Sequence, residues 1–319
     1  MKFVIVSPRD AGGGALALRT LCYELNMLGH DAKIYYVQGD NHKGNRHFWI
    51  KQIGYWITDS EKLVLHRLSK ALFGEKHSLY QQYCYNPVPG ERRKWLPFIS
   101  SNTVVLYPEI FKGNFLHAKN TVHWFLYFNR YKNDETAYQK KDLFFCYRKI
   151  FNDYSLNPDG KTMIFNFFDS QTYRQYNTQP RKGCCYIIRK GRRREDCPKS
   201  YKGPVIDAWT ESEKVKAFNT YQYCYFYDTQ TFYTNVAAVC GCIPIVVLEP
   251  GKVKEDYLGK GDEALGVAYG DTPEEIAYAL KTRGDVMDRI RQFDMKNREN
   301  AQYFVDTCRE YFKIKDNKI

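Results

Sequence analysis

Basic residues follow an apolar segment in the second half of the chain. Residues 184–188 have the composition of a buried strand, and Arg189, Lys190 and Gly191 come directly after it. A guanidinium and an ammonium group at the end of a strand can bind a phosphate, because both donate charge-assisted hydrogen bonds to its oxygens. A solvated charge run is the alternative, but the position after an apolar strand favours anion binding. Residues 192–194 are interpreted as charges that face solvent or a membrane.

A second polar cluster follows residues 221–227, an aromatic run typical of a strand. Asp228 can cap a helix N-terminus, since its carboxylate accepts hydrogen bonds from free backbone N–H groups. Two hydroxyl side chains come next: Thr229 and Thr231. A short helix of small residues then ends at Gly241, and residues 243–248 form an apolar strand of the kind buried in parallel sheets. This unit would aim the helix N-terminus at the carboxyl end of the sheet, where α/β proteins bind phosphates.

Two carboxylates in the first half of the chain lie near predicted strand ends. Residues 3–6 form a strand that leads to Asp10, and residues 103–106 form a strand that leads to Glu109. Either carboxylate could act as a general base that takes a proton from a hydroxyl group. Both are therefore predicted catalytic residues.

Aromatic side chains accompany these carboxylates. Tyr107 and Trp124 could stack on a sugar ring, and His123 is a weaker candidate for the same cleft. Residues 120–128 have a helical apolar pattern, which predicts that His123 and Trp124 lie on a helix.

Three successive glycines open the first predicted helix: Gly12, Gly13 and Gly14. They separate the first strand from a helix over residues 15–28, and a second strand over residues 32–37 completes a βαβ unit with a right-handed crossover. The spacing is neither Gly-x-Gly-x-x-Gly, because Ala17 takes the place of the last glycine, nor a Walker loop. Since a tight turn needs fewer glycines, the loop is predicted to approach a ligand closely.

The composition restricts the possible partners and cofactors. The 319 residues suffice for two α/β domains, and the net charge of +12 favours nucleic acid, an anionic membrane surface or phosphate-bearing small molecules. The ten cysteines show no zinc-like spacing and are interpreted as reduced thiols. No Asp-x-Asp is present, so we expect neither a metal nor another cofactor. Residues 1–7 are too short for a signal peptide, which favours a cytoplasmic protein.

Residues 46–73 carry an apolar face with lysines beside it. This helix could dock on a membrane interface or a lipid-linked acceptor, which would hold the protein peripherally at the inner membrane face. An ordinary pair of core-facing helices is the alternative.

Strand and helix patterns alternate in both halves. The fold class is therefore predicted to be α/β, with two Rossmann-like domains facing each other across a cleft. The predicted divisions are an acceptor-side domain over residues 1–175, a donor domain over residues 184–284, and a helix over residues 285–319 that returns to the first domain.

This layout resembles the GT-B glycosyltransferases. The resemblance rests on residues 11–14, 107–109, 188–191 and 228–244. Within the superfamily, the sequence is more similar to bacterial capsule and O-antigen polysaccharide glycosyltransferases, which carry Asp-x-x-Thr-Phe before a helix ending in Cys-Gly-Cys, than to the Glu-x7-Glu type. The Glu-x7-Glu motif of retaining members is only partly present, because Val236 stands in the place of the second glutamate. The sugar, the acceptor and the stereochemical outcome stay open.

The resemblance implies a nucleotide-sugar donor in the second domain and a glycan or lipid-linked acceptor at the first. Cationic groups would then neutralise the departing diphosphate without a metal. A nucleotide-sugar epimerase or a transferase of a non-sugar group on the same scaffold is the first alternative. A basic nucleic-acid-binding protein is the second, although the sequence lacks any RNP, KH or helix-turn-helix pattern and we expect no nucleic acid as partner.

Overall fold

Parallel β-sheets lie at the centre of both halves of the protein. The computed structural model describes residues 1–10, 12–38, 48–74, 86–258 and 264–314, apart from the side chains of residues 293 and 294. Unit 1 comprises Met1–Phe167 and Phe293–Ile319, and unit 2 comprises Phe168–Gln292. Of the segments named above, residue 11, residues 46–47 and residues 315–319 lie outside the described residues.

Nine strands and six α-helices are present in these described ranges. The strands are β1 (Lys2–Ser7), β2 (Asp31–Tyr36), β3 (Thr103–Pro108), β4 (Asn120–Phe125), β5 (Leu143–Cys146), β6 (Cys184–Ile187), β7 (Tyr223–Phe226), β8 (Ile243–Val246) and β9 (Ala268–Tyr269). The helices are α1 (Gly13–Met27), α2 (Phe48–Phe73), α3 (Glu211–Thr220), α4 (Tyr233–Val239), α5 (Pro273–Thr282) and α6 (Asp285–Phe312).

The sheet of unit 1 has the strand order β2-β1-β3-β4-β5, and every neighbouring pair is parallel. This is a doubly wound order in which the direction of winding reverses between β1 and β3. Loops at the carboxyl ends of two such strands leave a crevice, so unit 1 has its expected ligand position beyond Ser7 and Pro108.

Both faces of this sheet are covered. Helix α1 packs Leu18, Leu21 and Leu25 against one face, together with Phe304 and Val305 from the end of α6. The spacing of three and four residues in α1 puts its leucines on one side of the helix. The opposite face packs against Trp56 of α2 and against the segment that follows β3.

The helix predicted over residues 120–128 is wrong, because β4 occupies this region. Every residue of β4 is buried, since it pairs with β3 and β5 and both of its faces are covered. A strand buried on both sides shows no polar alternation, so its apolar pattern does not distinguish it from a buried helix. Residues 162–165 form no strand, and only an isolated bridge joins Thr162 to Cys146.

The sheet of unit 2 has the strand order β6-β7-β8-β9, again with every neighbouring pair parallel. The core on one face includes residues of α3 and α4, and the other face contacts α5. The Thr210 hydroxyl accepts from the Glu213 N–H at the start of α3, and Glu213 completes a capping box. The Thr272 hydroxyl accepts from the Glu275 N–H and so caps α5.

Helix α6 contributes to both cores. Val286 and Ile290 are buried in the core of unit 2, whereas Phe304, Val305 and Cys308 are buried in that of unit 1. The helix extends over residues 285–312, within the range of 285–319 that the sequence predicted. The predicted fold class, α/β with two Rossmann-like units, is confirmed by the two parallel sheets.

Candidate functional site

The turn after β6 is held by the half-buried carboxylate of Asp207. Arg189–Gly191 form a single 3₁₀ turn, and Asp207 accepts hydrogen bonds from the N–H groups of Ile188 and Arg189 at 3.0 and 2.9 Å. The turn therefore keeps one backbone conformation while the side chains of Arg189 and Lys190 remain exposed. Sequence reasoning missed Asp207, because an aspartate 18 residues away in a loop gives no local signal.

Gly191 brings the end of β6 against the end of β7. A Cβ atom at this position would lie 2.1 Å from the carbonyl oxygen of Tyr227 and 2.6 Å from its carbonyl carbon. No larger residue fits this contact without a backbone shift. The glycine that the sequence places after Arg189 and Lys190 is thus needed for packing, and this packing positions both cations beside the loop after β7.

Lys190 and Asp228 form the centre of the candidate site in unit 2. The Lys190 Nζ atom lies 3.9 Å from Asp228 Oδ1, and the two side chains are 44% and 3% exposed. Burial raises the pKa of Asp228 above its ordinary value, although Lys190 and Arg189 lower it. Asp228 Oδ1 receives no hydrogen bond from any part of the chain that the structure describes. An exposed cationic surface therefore lies over a buried carboxyl group.

Asp228 does not cap helix α4, contrary to the sequence prediction. The N-cap of α4 is Phe232 and provides no side-chain hydrogen bond. Asp228 instead accepts a hydrogen bond from the Gln230 N–H within the loop. The hydroxyl of Thr231 accepts from the Tyr233 N–H at 3.4 Å, and Thr229 is half-buried in the same loop. The polar groups that the sequence assigned to the helix terminus therefore lie in the loop before α4.

Arg194 connects three strand ends, so its interpretation as a solvent or membrane charge is wrong. Its guanidinium donates to the carbonyl oxygens of Val247 at 2.8 Å, Leu248 at 2.9 Å and, more weakly, Tyr227 at 3.4 Å. Asp196 accepts its remaining N–H groups. The side chain is only 11% exposed. Arg194 therefore fixes the loops that frame Lys190 and Asp228.

Replacement of Arg194 by alanine should destabilise the protein by about 2 kcal/mol, because carbonyl groups after β8 lose charge-assisted hydrogen bonds. Urea unfolding measures this change. The matched control is Arg193→Ala, which removes an exposed guanidinium from the same segment and should change the free energy of unfolding by less than about 0.5 kcal/mol. Equal effects of the two variants would contradict the role given to Arg194.

Asp228 predicts a pH dependence of stability. Because its pKa is raised in the folded state, the folded protein holds this proton more tightly than the unfolded chain. The Asp228 contribution therefore lowers stability as the pH rises from the unfolded pKa through the folded pKa, and the full cost is present above the latter. Asp228→Asn removes this cost. In urea unfolding, the variant should gain stability over the wild type at pH 7.5 and lose part of that advantage at pH 4.5. An advantage that does not change with pH would contradict the assignment.

A second buried cluster lies at the start of α3. Glu211 accepts hydrogen bonds from the Tyr173 hydroxyl at 2.8 Å, from Lys214 Nζ at 3.1 Å and from the Tyr233 hydroxyl. Glu211 and Lys214 are both 3% exposed. The ion pair and the two tyrosine hydroxyls form hydrogen bonds with one another. This cluster therefore joins α3 to the first turn of α4 and supports the loop that carries Asp228.

The two predicted catalytic carboxylates follow neighbouring strands of unit 1. Asp10 comes after β1 and is exposed, and its Oδ1 atom accepts from the Gly12 N–H at 2.8 Å. Glu109 comes after β3, is 6% exposed, and accepts from the Leu126 N–H at 3.0 Å. Both therefore border the position where the winding of this sheet reverses. Asp10 is the more accessible of the two carboxylates.

The glycine loop belongs to the same edge of unit 1. A Cβ atom at Gly14 would lie 3.4 Å from Leu126, the residue whose N–H contacts Glu109. The φ angle of Gly12 is −70°, and neither Gly13 nor Gly14 has a positive φ. Backbone conformation therefore does not require glycine here. The absence of side chains instead leaves Gly13 and the Asp10 carboxylate open to solvent.

Tyr107 and His123 are fully buried, which corrects their assignment to a ligand-binding cleft. The Tyr107 hydroxyl donates to Asn114 at 3.0 Å, and its ring stacks on His123 at 5.7 Å. The imidazole of His123 contacts Asp142 at 3.1 Å. Trp124 is also 0% exposed. These rings pack inside unit 1, so they are not retained as sugar-stacking groups.

Within the described ranges, no group of three or more His, Cys, Asp or Glu side chains is arranged to hold a metal ion. No family model matches the chain, and no curated protein matches it.

Solved structures match nearly the whole chain at low similarity. An alpha-glucosyltransferase in complex with UDP and a 13-mer DNA containing a HMU base is 11% identical, with 98% of this chain and 99% of that chain covered and a TM-score of 0.40. Sucrose-phosphate synthase from Thermosynechococcus elongatus is 10% identical, with 99% and 100% covered and a TM-score of 0.43. A putative UDP-N-acetylglucosamine 2-epimerase from Listeria monocytogenes is 10% identical, with 99% and 98% covered and a TM-score of 0.36. These likenesses are too distant to assign an activity.

Proposed function

We propose that this protein is a glycosyltransferase that uses a nucleotide-sugar donor. One observation carries the proposal: Arg189 and Lys190 lie exposed at the carboxyl edge of a parallel sheet, with Lys190 Nζ 3.9 Å from the buried Asp228. Parallel α/β sheets bind ligands at this edge. The diphosphate of the donor would lie against the two cations, while the Thr229 and Thr231 hydroxyls of the next loop provide further hydrogen-bond partners.

The chemical role of the cations follows from their charge. The bond between the sugar and the diphosphate breaks with growing negative charge on the leaving phosphate. Positioned guanidinium and ammonium groups stabilise this charge, and their effect is larger in the transition state than in the bound donor. In this proposal Arg189 and Lys190 supply the positive charge, and the reaction is independent of a metal.

The acceptor is assigned to unit 1, where Asp10 and Glu109 border the reversal of the sheet. We propose a glycan or lipid-linked saccharide, as in the assembly of a surface polysaccharide. In an inverting reaction, a carboxylate would take the proton of the attacking hydroxyl. The exposed carboxylate of Asp10 fits this role, and Glu109 would hold the Leu126 backbone beside it.

Asp10→Asn should reduce the rate of transfer by about 100-fold without weakening donor binding if Asp10 is the base. Glu109→Gln is the paired variant, and the residue whose replacement lowers kcat at unchanged donor KM is the base. The measurement is release of nucleoside diphosphate in the presence of acceptor. If both variants keep full activity, neither carboxylate acts as the base. This result is expected for a retaining reaction, which needs neither group in that role.

Thermal unfolding in the presence of nucleotides tests the donor site directly. Millimolar UDP, GDP, dTDP and CMP are each added to the purified protein, and at least one should raise Tm, because a ligand that binds only the folded state stabilises it. No shift with any nucleotide would count decisively against the proposal.

Incubation of the protein with nucleotide sugar alone then separates the transferase from the epimerase, since an epimerase changes the donor without an acceptor.

A further inference from the structure

Helix α2 presents a long apolar stripe to solvent. Seven aliphatic side chains on it are between 48% and 73% exposed: Ile50, Ile53, Ile57, Val64, Leu65, Leu68 and Leu72. At 100° per residue they fall within a sector of about 120°. The stripe runs from Ile50 to Leu72 within this 26-residue helix, so it is about 33 Å long. Soluble proteins rarely expose an apolar surface of this extent without a partner.

The opposite side of α2 is fixed to unit 1. Gln52 donates to the Tyr36 carbonyl oxygen at 2.7 Å, and Tyr55 is 5% exposed. Asp59 pairs with Arg93 at 2.9 Å and with Arg9 at 3.5 Å. These contacts leave α2 no freedom to turn its aliphatic stripe toward the core. The stripe is therefore a stable feature of the outer surface.

The charges beside the stripe identify its partner. Lys51 and Arg67 are exposed about 100° to either side of its centre. With the half-buried Lys62, and with Asp59 neutralised by the arginines of unit 1, the charges beside the stripe are more positive than negative. Glu61 is the acidic residue within the stripe. Apolar residues flanked by cations are typical of a helix that lies in the headgroup region of an anionic bilayer.

A second copy of the chain fits the stripe less well. In a heptad register that begins at Ile50 and places Ile53 at d, the later d positions hold Ser60, Arg67 and Gly74. A coiled coil needs apolar residues at these positions. In addition, no helix in the described ranges is long and apolar enough to cross a membrane. The pattern therefore favours a helix that rests on a surface.

Aromatic side chains near α2 support this choice. Trp49 of α2 is 37% exposed, and the segment after Arg93 exposes Trp95 and Phe98. The Arg93 guanidinium contacts the Trp95 ring at 4.9 Å and pairs with Asp59 of α2, so this segment adjoins the helix. Tryptophan is favoured at the boundary between lipid headgroups and acyl chains.

We propose that the exposed stripe of α2 binds the surface of a membrane that contains anionic phospholipids. The aliphatic side chains insert between the lipid headgroups, and the flanking cations contact lipid phosphates. Membrane binding requires no nucleotide, so it can be tested separately from the proposed transferase activity.

Vesicle flotation without nucleotide tests the proposal. The full-length protein should float with vesicles of 30% phosphatidylglycerol in phosphatidylcholine and much less with pure phosphatidylcholine. Ile57→Ser/Leu68→Ser should reduce binding at least tenfold, and Lys51→Gln/Arg67→Gln about tenfold. Val253→Ser/Leu280→Ser removes exposed aliphatic groups from unit 2, and Lys199→Gln/Lys216→Gln removes exposed charge there. Both controls should bind like the wild type.

Three outcomes would overturn the proposal. The wild type fails to float with anionic vesicles, or the serine variant floats as well as the wild type, or the protein is a dimer that Ile57→Ser/Leu68→Ser converts to a monomer. Thermal unfolding of every variant confirms that it is folded, which is expected because all the replaced side chains are exposed. Sedimentation equilibrium measures the oligomeric state.

Discussion

Arg189→Ala/Lys190→Ala should weaken binding of the nucleoside diphosphate by about 1000-fold. Each cation is expected to donate charge-assisted hydrogen bonds to a phosphate, and loss of one such contact costs about 2 kcal/mol. Both side chains are exposed, so their removal should leave the fold intact. Isothermal titration with the nucleotide that gives the largest rise in Tm measures the change.

Lys199→Ala/Lys216→Ala is the control for this experiment, because it removes the same charge from exposed positions elsewhere in unit 2. If the cations acted only through long-range attraction, both variants would weaken nucleotide binding equally. If the first variant binds the nucleotide as tightly as the control does, the two cations lie outside the donor site.

Gly191→Ala should destabilise the protein by about 3 kcal/mol or more and also reduce donor affinity. The added Cβ would lie 2.1 Å from the Tyr227 carbonyl oxygen, so the turn must move away from the end of β7. Both atoms belong to the backbone or are fixed to it, and neither can rotate away. Overpacking of this kind costs 1–3 kcal/mol even where side chains can adjust. The shift would also separate Lys190 from Asp228.

Gly284→Ala is the matched control, because a Cβ at that position meets nothing within 4 Å and its φ is not positive. It should leave the free energy of unfolding unchanged within about 0.5 kcal/mol. Urea unfolding and nucleotide titration are measured on both variants. A stable Gly191→Ala variant with normal donor affinity would show that the close contact with Tyr227 does not position the site.

Local patterns predicted most elements of this fold. The 28 residues of α6 show a sustained helical period, and Thr272 precedes proline and two glutamates, so both helices could be recognised from neighbouring residues alone. Helix α1 also follows a periodic pattern, and β1 was recognisable as a short apolar run before the glycine loop. The segment around His123 could not be assigned in this way, since burial on both faces removes the alternation that marks a strand.

The candidate site depends on contacts between distant residues, which the sequence does not display. The position of Arg189 and Lys190 after a strand was visible, but the contact of Gly191 with Tyr227 spans 36 residues. Arg194 resembles its exposed neighbours in the basic run, and only the fold shows that its guanidinium meets carbonyl groups more than 50 residues away. Asp228 has the residue type of a helix cap, yet the helix begins later.

The hydrogen bonds that Asp207 accepts affect the affinity and the dissociation rate of a nucleotide bound at this turn. Since the N–H groups of Ile188 and Arg189 are already satisfied, an anion at this turn would be held mainly by two solvated side chains. Such attraction is screened within about 8 Å at physiological ionic strength. Affinity for the spent nucleotide should therefore fall steeply with added electrolyte, and its dissociation should be fast enough not to limit turnover.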